Sequence, residues 1–379
     1  MTELSVPVGP DTTIRIGVAG LGYWGPNLAR NFAAIPGCEL IWCCDGAAAA
    51  RSRAVSQFPG VPVTADLDDL LGDPSLHAIV LATPVPTHAE LAVRVLAAGK
   101  HCFVEKPLAL SVTDAQRAVD AAAAAGRTLM VGHLLEYHPG LRALKELADT
   151  GELGEQIFYI YGNRLNLGKL RADENALWSL GAHDVSVVLS LAGGAQPVEI
   201  TAHGASYVRG GVEDVVFCFV RFDSGLVAHL HLSWLDPHKE RRFTVVGSKR
   251  MATFDDMASE RKLTVYDKGF DEDARTYGEY ITRSGGSFSP QVANVEPLRI
   301  ECEHFIESLR TGAPPRSDGA SGLRVVRVLE ALQRSLDADR SSGGSDVDLL
   351  GEGFDADPQS DGFDGDRAGD RLGDRAADG

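Results

Sequence analysis

Apolar residues in the first third of the chain fall in short, dense runs separated by glycine-containing turns and by stretches with helical spacing. Residues 14–19, 39–44, 61–64, 77–82, 101–104 and 128–132 read as strands, because continuous apolar runs bounded by turn residues fit strands covered on both faces. Residues 26–32, 47–58, 66–71, 89–98 and 113–125 read as helices, the last two closed by Gly99 and Gly126. Strict alternation of the two predicts a parallel, doubly wound sheet. The second half changes character. Residues 158–163, 199–203, 215–222, 226–234, 242–246, 251–254 and 262–265 read as strands with few helices between them, which predicts an open, mostly antiparallel sheet. Helices over 177–191, 298–309 and 322–336 complete it, with Val325, Leu329, Leu332 and Leu336 on one face of the last. The fold class is therefore α/β: a doubly wound domain over 14–132, then an α+β domain over 133–336.

One stretch gives the first domain its chemistry. Gly20-Leu21-Gly22-Tyr23-Trp24-Gly25 joins the first strand to the first helix. In such a turn the first Gly permits the tight bend, the second lets the backbone approach a pyrophosphate, and the third lets helix pack on strand. The helix N-terminus offers free N–H groups and a positive dipole to the phosphates. Asp45 lies twenty residues past Gly25, at the end of the second strand, where the ribose 2′-hydroxyl of NAD is gripped. This is the Rossmann fingerprint. The charge of Asp45 favours NAD over NADP; Arg51 and Arg53 nearby keep NADP open as an alternative. Tyr23 and Trp24 are placed at the cofactor, with Trp24 either covering it or packing beneath the turn. Ligands bind at the carboxyl ends of the strands, and Thr83, Pro84, His88, Glu105, Lys106 and Pro107 all map to that rim. Pro107 reads as a cis or otherwise rigid turn.

Composition narrows the setting. Apolar content of 44% and charged content of 23% are ordinary for a globular protein. No apolar run is long enough to span a bilayer, and no secretory signal precedes the first strand; the cytoplasm is expected and no membrane partner. The net charge of −17 argues against a nucleic-acid partner. Much of it sits in residues 337–379, rich in Asp, Gly and Ser, which read as an acidic, disordered tail. The six cysteines, at 38, 43, 44, 102, 218 and 302, show no metal-ligand spacing, and neither a metal nor disulfides are expected. The open sheet of the second domain needs its exposed face covered, which predicts a homo-oligomer.

Ala82-Thr83-Pro84 with His88, then Val104-Glu105-Lys106-Pro107, added to the glycine turn, resemble the Gfo/Idh/MocA oxidoreductases over about residues 14–336. Asn163-Arg164-Leu165-Asn166-Leu167-Gly168, Val246-Gly247-Ser248-Lys249, Glu296-Pro297-Leu298, Glu301-Cys302-Glu303-His304-Phe305 and Ser317-Asp318-Gly319 look like its nucleotide-sugar branch, typified by UDP-N-acetylglucosaminuronate 3-dehydrogenases. The resemblance implies NAD-dependent hydride transfer from a secondary alcohol of a sugar or nucleotide sugar, with oxidation at C3, by a homodimer or homotetramer. It makes Lys106 the lysine beside the reacting carbon and His183 the second catalytic position. The Asp that family members carry four residues before this His is Ser179 here, and the usual Pro before it is Ala182. On an α-helix positions 179 and 183 share a face. A base must reach the substrate hydroxyl; Lys106 can take its proton or stabilise the developing alkoxide, and His183 can relay or orient. Arg164, Asn166 and Arg171 are placed to meet the nucleotide sugar, Arg matching a diphosphate through its planar fork; Ser179 is placed to position it. Asp184 either orients His183 or faces solvent. Tyr137 and His138 either line the cleft or pack. Two other functions stay open: an NADPH-dependent keto-sugar nucleotide reductase, and a non-catalytic NAD-binding protein.

Overall fold

The computed structural model describes residues 8–9, 12–168, 174–272 and 280–342. Strand and helix alternate from the start: β1 (Ile14–Ala19), α1 (Gly25–Ala33), β2 (Cys38–Cys44), α2 (Ala48–Gln57), β3 (Val63–Thr64), α3 (Leu67–Gly72), β4 (Ala78–Leu81), α4 (His88–Ala97), β5 (His101–Glu105), α5 (Val112–Ala125) and β6 (Leu129–Gly132). The six strands form one parallel sheet in the order β3-β2-β1-β4-β5-β6. The order reverses between β1 and β4, which opens a crevice at their carboxyl ends. Gly126 closes α5 in the left-handed region, as expected, and the structure adds Ser111 as its N-cap, accepting from the Asp114 N–H at 3.1 Å.

A turn over Leu134–Tyr137 leads to α6 (Pro139–Asp149), β7 (Ile157–Leu167), a π-helical turn (Leu177–Gly181) and α7 (Ala182–Leu191). Then follow β8 (Pro197–Ala205), β9 (Val215–Phe222), β10 (Val227–Ser233), β11 (Leu235–Gly247), β12 (Met251–Asp255), β13 (Leu263–Glu272) and β14 (Tyr280–Phe288), and finally α8 (Pro297–Thr311) and α9 (Gly319–Ser342). The eight strands lie in the order β14-β13-β12-β11-β7-β10-β9-β8. Every pair is antiparallel except β10 with β7. No helix among the described residues is long and apolar enough to cross a membrane.

Three elements depart from the sequence reading. The helix α6 and the strand β14 were not expected. β14 carries Arg283-Ser284-Gly285-Gly286-Ser287, too polar and glycine-rich to show a pattern; pairing with β13 makes it a strand. The last helix runs to Ser342 instead of ending at 336, so the first residues assigned to the tail are helical. Gln333 donates to Asp337 one turn on, at 3.0 Å, an i,i+4 contact that carries the helix forward. Residues 343–379 lie outside the described residues.

Residues 1–339 form one compact unit, so the halves read as separate domains share their cores. Leu298, Cys302, Phe305, Ile306 and Leu309 of α8 pack into the apolar cluster on the α1 side of the parallel sheet. Leu323 and Val326 of α9 pack into the cluster on its α4 and α5 side. Leu329, Leu332 and Leu336 of α9 join the core between α7 and the second sheet. The segment before α9 crosses the β6 edge, where the Val131 N–H donates to the Ser317 carbonyl at 2.8 Å and the Ser317 hydroxyl donates to the Val131 carbonyl at 2.7 Å. Phe32, Phe103 and Phe305 meet edge to face, with centroids 5.7 to 6.1 Å apart.

The inner face of the second sheet is buried and its outer face is not. Register sets Tyr159, Tyr161 and Asn163 of β7 beside Val227, His229 and His231 of β10, and these beside Arg221, Phe219 and Phe217 of β9. Tyr161 stacks on His229 at 5.3 Å and Phe217 on His231 at 4.4 Å, while Phe217 stays 52% exposed. A contiguous aromatic face of this kind marks an interaction surface.

Two outcomes are expected from this packing. Phe305→Ala should lower stability by about 3–5 kcal/mol in urea unfolding, the scale of a deleted core aromatic; a loss under about 1 kcal/mol would mean that this cluster does not hold α8 in place. Wild-type protein at micromolar concentration should be oligomeric by light scattering, and Phe217→Asp should dissociate it; a monomeric wild type sinks this expectation.

Candidate functional site

Gly20 ends β1 with φ 91°, and a Cβ there would lie 2.5 Å from the main chain of Ala82. A Cβ on Gly25 would fall 1.9 Å from the Gly20 carbonyl oxygen. Backbone packing alone fixes both as glycine. Gly22 differs: no atom lies within 4 Å of where its Cβ would be, so its lack of a side chain leaves open space at the start of α1. That helix has no side-chain cap and no acid in its first turn, which leaves its first N–H groups to an outside acceptor. Asp45 accepts from the Leu21 N–H at 2.6 Å and the Ala47 N–H at 2.7 Å, pinning the end of β2 to the turn. Each oxygen retains a lone pair for a ribose hydroxyl. Arg51 is turned back on the Asp45 and Gly46 carbonyls, both at 2.8 Å. Trp24 packs against the first core and meets Tyr23 edge-on at 5.6 Å, with Tyr23 82% exposed. Turn, uncapped helix and acid fit a dinucleotide, its pyrophosphate at α1 and its adenosine ribose at Asp45.

On the rim after β4, Thr83 accepts a hydroxyl bond from Thr87 at 2.8 Å and Pro84 is exposed. His88 is buried, with Nε2 at 2.8 Å from the Thr83 carbonyl and Nδ1 at 2.8 Å from the Pro107 carbonyl. It therefore lies buried between the loop after β4 and the loop after β5; burial pushes its pKa down, so the ring is neutral and its one N–H donates to one of the two carbonyls. The Lys106–Pro107 peptide is cis.

Lys106 Nζ donates to the Ser179 carbonyl at 3.1 Å. This corrects the expected geometry at 179 and 183. The chain there is not yet α-helical: the π turn over Leu177–Gly181 precedes α7, which carries His183. A π turn takes main-chain groups out of the α-helical ladder, and here a carbonyl, rather than the Ser179 side chain, meets Lys106. His183 is half-buried, and its Nδ1 is buried with no hydrogen-bond partner. Burial, then the charges of Lys106 and Arg164, push its pKa well down, so the imidazole is neutral.

Arg164 is buried and paired with Asp184, itself 1% exposed. Its Nε is thus held inside by Asp184, while the expected contact with a diphosphate would fall to its two terminal NH2 groups. Asp184 neither orients His183 nor faces solvent; burial pushes its carboxyl up against the opposing pull of Arg164. Asn166 stays half-exposed near the end of β7, and Arg171 lies outside the described residues. Tyr137 packs, fully buried, with its hydroxyl 2.9 Å from the Ser317 hydroxyl. His138 caps α6 through the Gly140 N–H at 3.0 Å and lies 3.4 Å from Asp256.

The structure adds residues the sequence reading did not single out. Register sets Arg241 of β11 opposite Arg164, and its charge reaches both His183 and Asp184. His133 is fully buried with both ring nitrogens unpartnered, and burial with Lys106 nearby pushes its pKa down to about 3. Glu105, bonded by the Lys106 N–H at 3.2 Å, is pushed up to about 7 by burial. Lys106, Ser179, His183, His133 and Glu105 thus share one neighbourhood at the carboxyl ends of β5 and β6. Such a setting can hold a hydroxyl between an amine and a neutral imidazole.

Comparison with known proteins agrees with this geometry. Residues 14–133 match the oxidoreductase family with NAD-binding Rossmann fold, and residues 141–253 match the GFO/IDH/MocA C-terminal domain. The UDP-N-acetylglucosamine 3-dehydrogenase of Acidithiobacillus ferrooxidans is 27% identical over 86% of this chain and 98% of its own. Its solved structure superposes with a TM-score of 0.74, covering 86% of this chain and 98% of that one at 26% identity. A solved protein of Magnetospirillum magnetotacticum MS-1 is 30% identical, with a TM-score of 0.73, over 85% of this chain and all of its own. The scyllo-inositol 2-dehydrogenase (NAD(+)) of Bacillus subtilis is 25% identical over 80% of this chain and 88% of its own. A parallel sheet with its glycine turn and uncapped helix, followed by the matching second domain, makes this chain a member of the Gfo/Idh/MocA oxidoreductases, with an NAD-binding Rossmann domain at its N-terminal end.

Proposed function

We propose that this oxidoreductase oxidises a ring secondary alcohol of a nucleotide sugar with NAD, in the manner of a UDP-N-acetylglucosaminuronate 3-dehydrogenase. The observation that carries the reading is the Lys106 amine held by the Ser179 carbonyl at 3.1 Å beside the neutral imidazole of His183. The relatives that act on a UDP-sugar and on an inositol support a cyclic polyol as substrate.

When bound, NAD accepts the hydrogen with its electron pair from the carbinol carbon. Gly22 and the first N–H groups of α1 would hold its pyrophosphate and Asp45 its adenosine ribose, with Thr83, Pro84 and Glu105 on the rim where its nicotinamide would lie. Lys106 takes the hydroxyl proton as the carbonyl forms. His183, kept neutral by its burial, donates to or accepts from the same hydroxyl and fixes its direction. Ser179 and Asn166 are polar side chains that position the sugar, with the terminal NH2 groups of Arg164, whose Nε is held by Asp184.

NAD should bind more tightly than NADP in fluorescence titration, since Asp45 repels a 2′-phosphate. Gly22→Val should abolish binding while leaving the circular dichroism spectrum unchanged, because a Cβ there meets no protein atom within 4 Å and the side chain would fill the pyrophosphate's place; tighter NADP binding by the wild type, or retained NAD binding by the variant, overturns the assignment.

A thermal-shift screen of nucleotide sugars with NAD present identifies the substrate. On the best of these, Lys106→Met should keep NAD affinity and lose about 10²-fold or more in kcat. His183→Ala should be severely impaired. Ser179→Ala, which keeps the carbonyl, should chiefly raise KM. A Ser179→Ala enzyme as poor in kcat as His183→Ala would mean that the Ser179 side chain acts in the chemical step and that this division of roles is wrong.

A further inference from the structure

Arg261 is the only residue other than glycine with positive φ among the described residues, at 51°. It lies in the loop over residues 256–262 that joins β12 to β13. Glycine or asparagine is the usual choice for such a conformation, because a longer side chain crowds the following carbonyl. Backbone strain of this kind persists where the surroundings hold it, and it collects at ligand clamps. The Arg261 side chain is exposed, and no carboxylate of the described residues pairs with it. It faces a cavity of about 910 Å³ whose wall also includes Leu134, His138, Arg241, Lys262 and Asn294. That volume is enough for a nucleoside diphosphate.

Two parts of this wall run back to the catalytic residues. Leu134 follows His133, and His133 follows Gly132, the register partner of Glu105 beside Lys106. Arg241 stands opposite Arg164 across β11 and β7, and Arg164 holds Asp184, the neighbour of His183. The cavity therefore lies beside the site of Lys106 and His183. Its charge is distinctive for a chain of net charge −17. Asp256 accepts from Arg241 Nη1 and from Lys262 Nζ, each at 3.4 Å, and so gathers both cations onto one patch next to Arg261. Glu296, at the far end of the wall, is taken by Arg30 at 2.7 Å. Glu260 lines the cavity too and is exposed. Three cations thus face the cavity, and the one carboxylate among them is shared by two. Asp256 takes one N–H of Arg241; its other N–H groups, and the whole fork of Arg261, are left for an anion.

We propose that Arg241 and Arg261 clamp the diphosphate of a nucleotide-sugar substrate in this cavity, with the reacting ring towards Lys106; this rests on the nucleotide-sugar reading above. The two guanidiniums come from different elements, a strand and a hairpin loop, and each planar fork matches a pair of phosphate oxygens. Arg164 lies deeper, with its side chain 9% exposed, so its terminal NH2 groups serve the sugar and the diphosphate falls to Arg241. Contact with the ligand accounts for an arginine, rather than a glycine, at the left-handed position of the loop.

Calorimetric titration of the NAD-saturated protein with UDP and with uridine tests the clamp, since NAD already fills the dinucleotide site. UDP should bind at least tenfold more tightly than uridine, by an amount that falls with added salt. Arg241→Gln and Arg261→Gly should each weaken UDP roughly tenfold and leave the affinities for uridine and NAD as they are. Arg261→Gly also relieves the left-handed residue, so its melting temperature should hold level or rise while UDP affinity falls, a pairing that lost folding does not produce. On a nucleotide sugar that is turned over, both variants should suffer in KM far more than in kcat. UDP bound by both variants within twofold of wild type overturns the clamp and leaves the nucleotide-sugar reading intact. A wild type that binds UDP no better than uridine overturns clamp and nucleotide together; turnover of an unphosphorylated cyclic polyol with NAD would then keep the dehydrogenase and remove the nucleotide from its substrate.

Discussion

The bond from Lys106 Nζ to the Ser179 carbonyl joins the end of a strand in the parallel sheet to a helical turn that rests on the other sheet. Its length is decided by neither partner locally. Lys106 is set by β5 and by His88, buried between the Thr83 and Pro107 carbonyls. Ser179 is set by α7, which packs on the inner face of the second sheet. What brings them within 3.1 Å is the return of the chain, with α8 on one face of the parallel sheet and α9 on the other. A catalytic constellation has to be held to fractions of an ångström, and here two helices from the end of the compact unit supply that rigidity.

The same return shapes the electrostatics. Dry surroundings disfavour charge of either sign, and around Lys106 that effect acts on every titratable group. His183 and His133 are driven to the neutral form, and Glu105 towards the protonated one. Asp184 is pushed up by burial as well, against the opposing pull of Arg164, which faces it. A hydroxyl entering this setting meets the Lys106 amine and an imidazole that burial keeps neutral.

Most of the parallel sheet and its cofactor turn was legible in the sequence because the signals there are local. Short apolar runs, a glycine at each forced conformation and an acid at a fixed spacing each act within a few residues of themselves. The glycine turn could be read residue by residue; Gly20 and Gly25 proved to be obliged by packing, while at Gly22 the protein leaves open space. The second half was read in outline. β14 is a strand because β13 lies beside it, which no pattern within the strand reports. The helix α6 did leave a signal, Pro139 at its start and Leu141 and Leu144 at helical spacing, that the strand-rich surroundings obscured. Arg164 reads as a solvent-facing cation in a polar stretch, yet β7 turns it inward to Asp184. Its partner is 20 residues away in the chain and invisible to spacing.

Position 179 shows how a changed side chain can leave a function standing. A carboxylate at this place would give Lys106 a charged partner and add a negative charge to the site. Serine cannot do either. The π turn replaces the contact with a main-chain carbonyl, which any residue provides and which carries dipole but no net charge. The lysine is held by the main chain, and the side chain at 179 is released from anchoring the amine and left half-exposed. What the sequence presents as the loss of an acid is, in the structure, a transfer of one task from side chain to backbone. In the function proposed above, the residue itself is available for contact with the sugar, so the identity at 179 bears there on which ring hydroxyl is presented to Lys106 more than on whether Lys106 is in place.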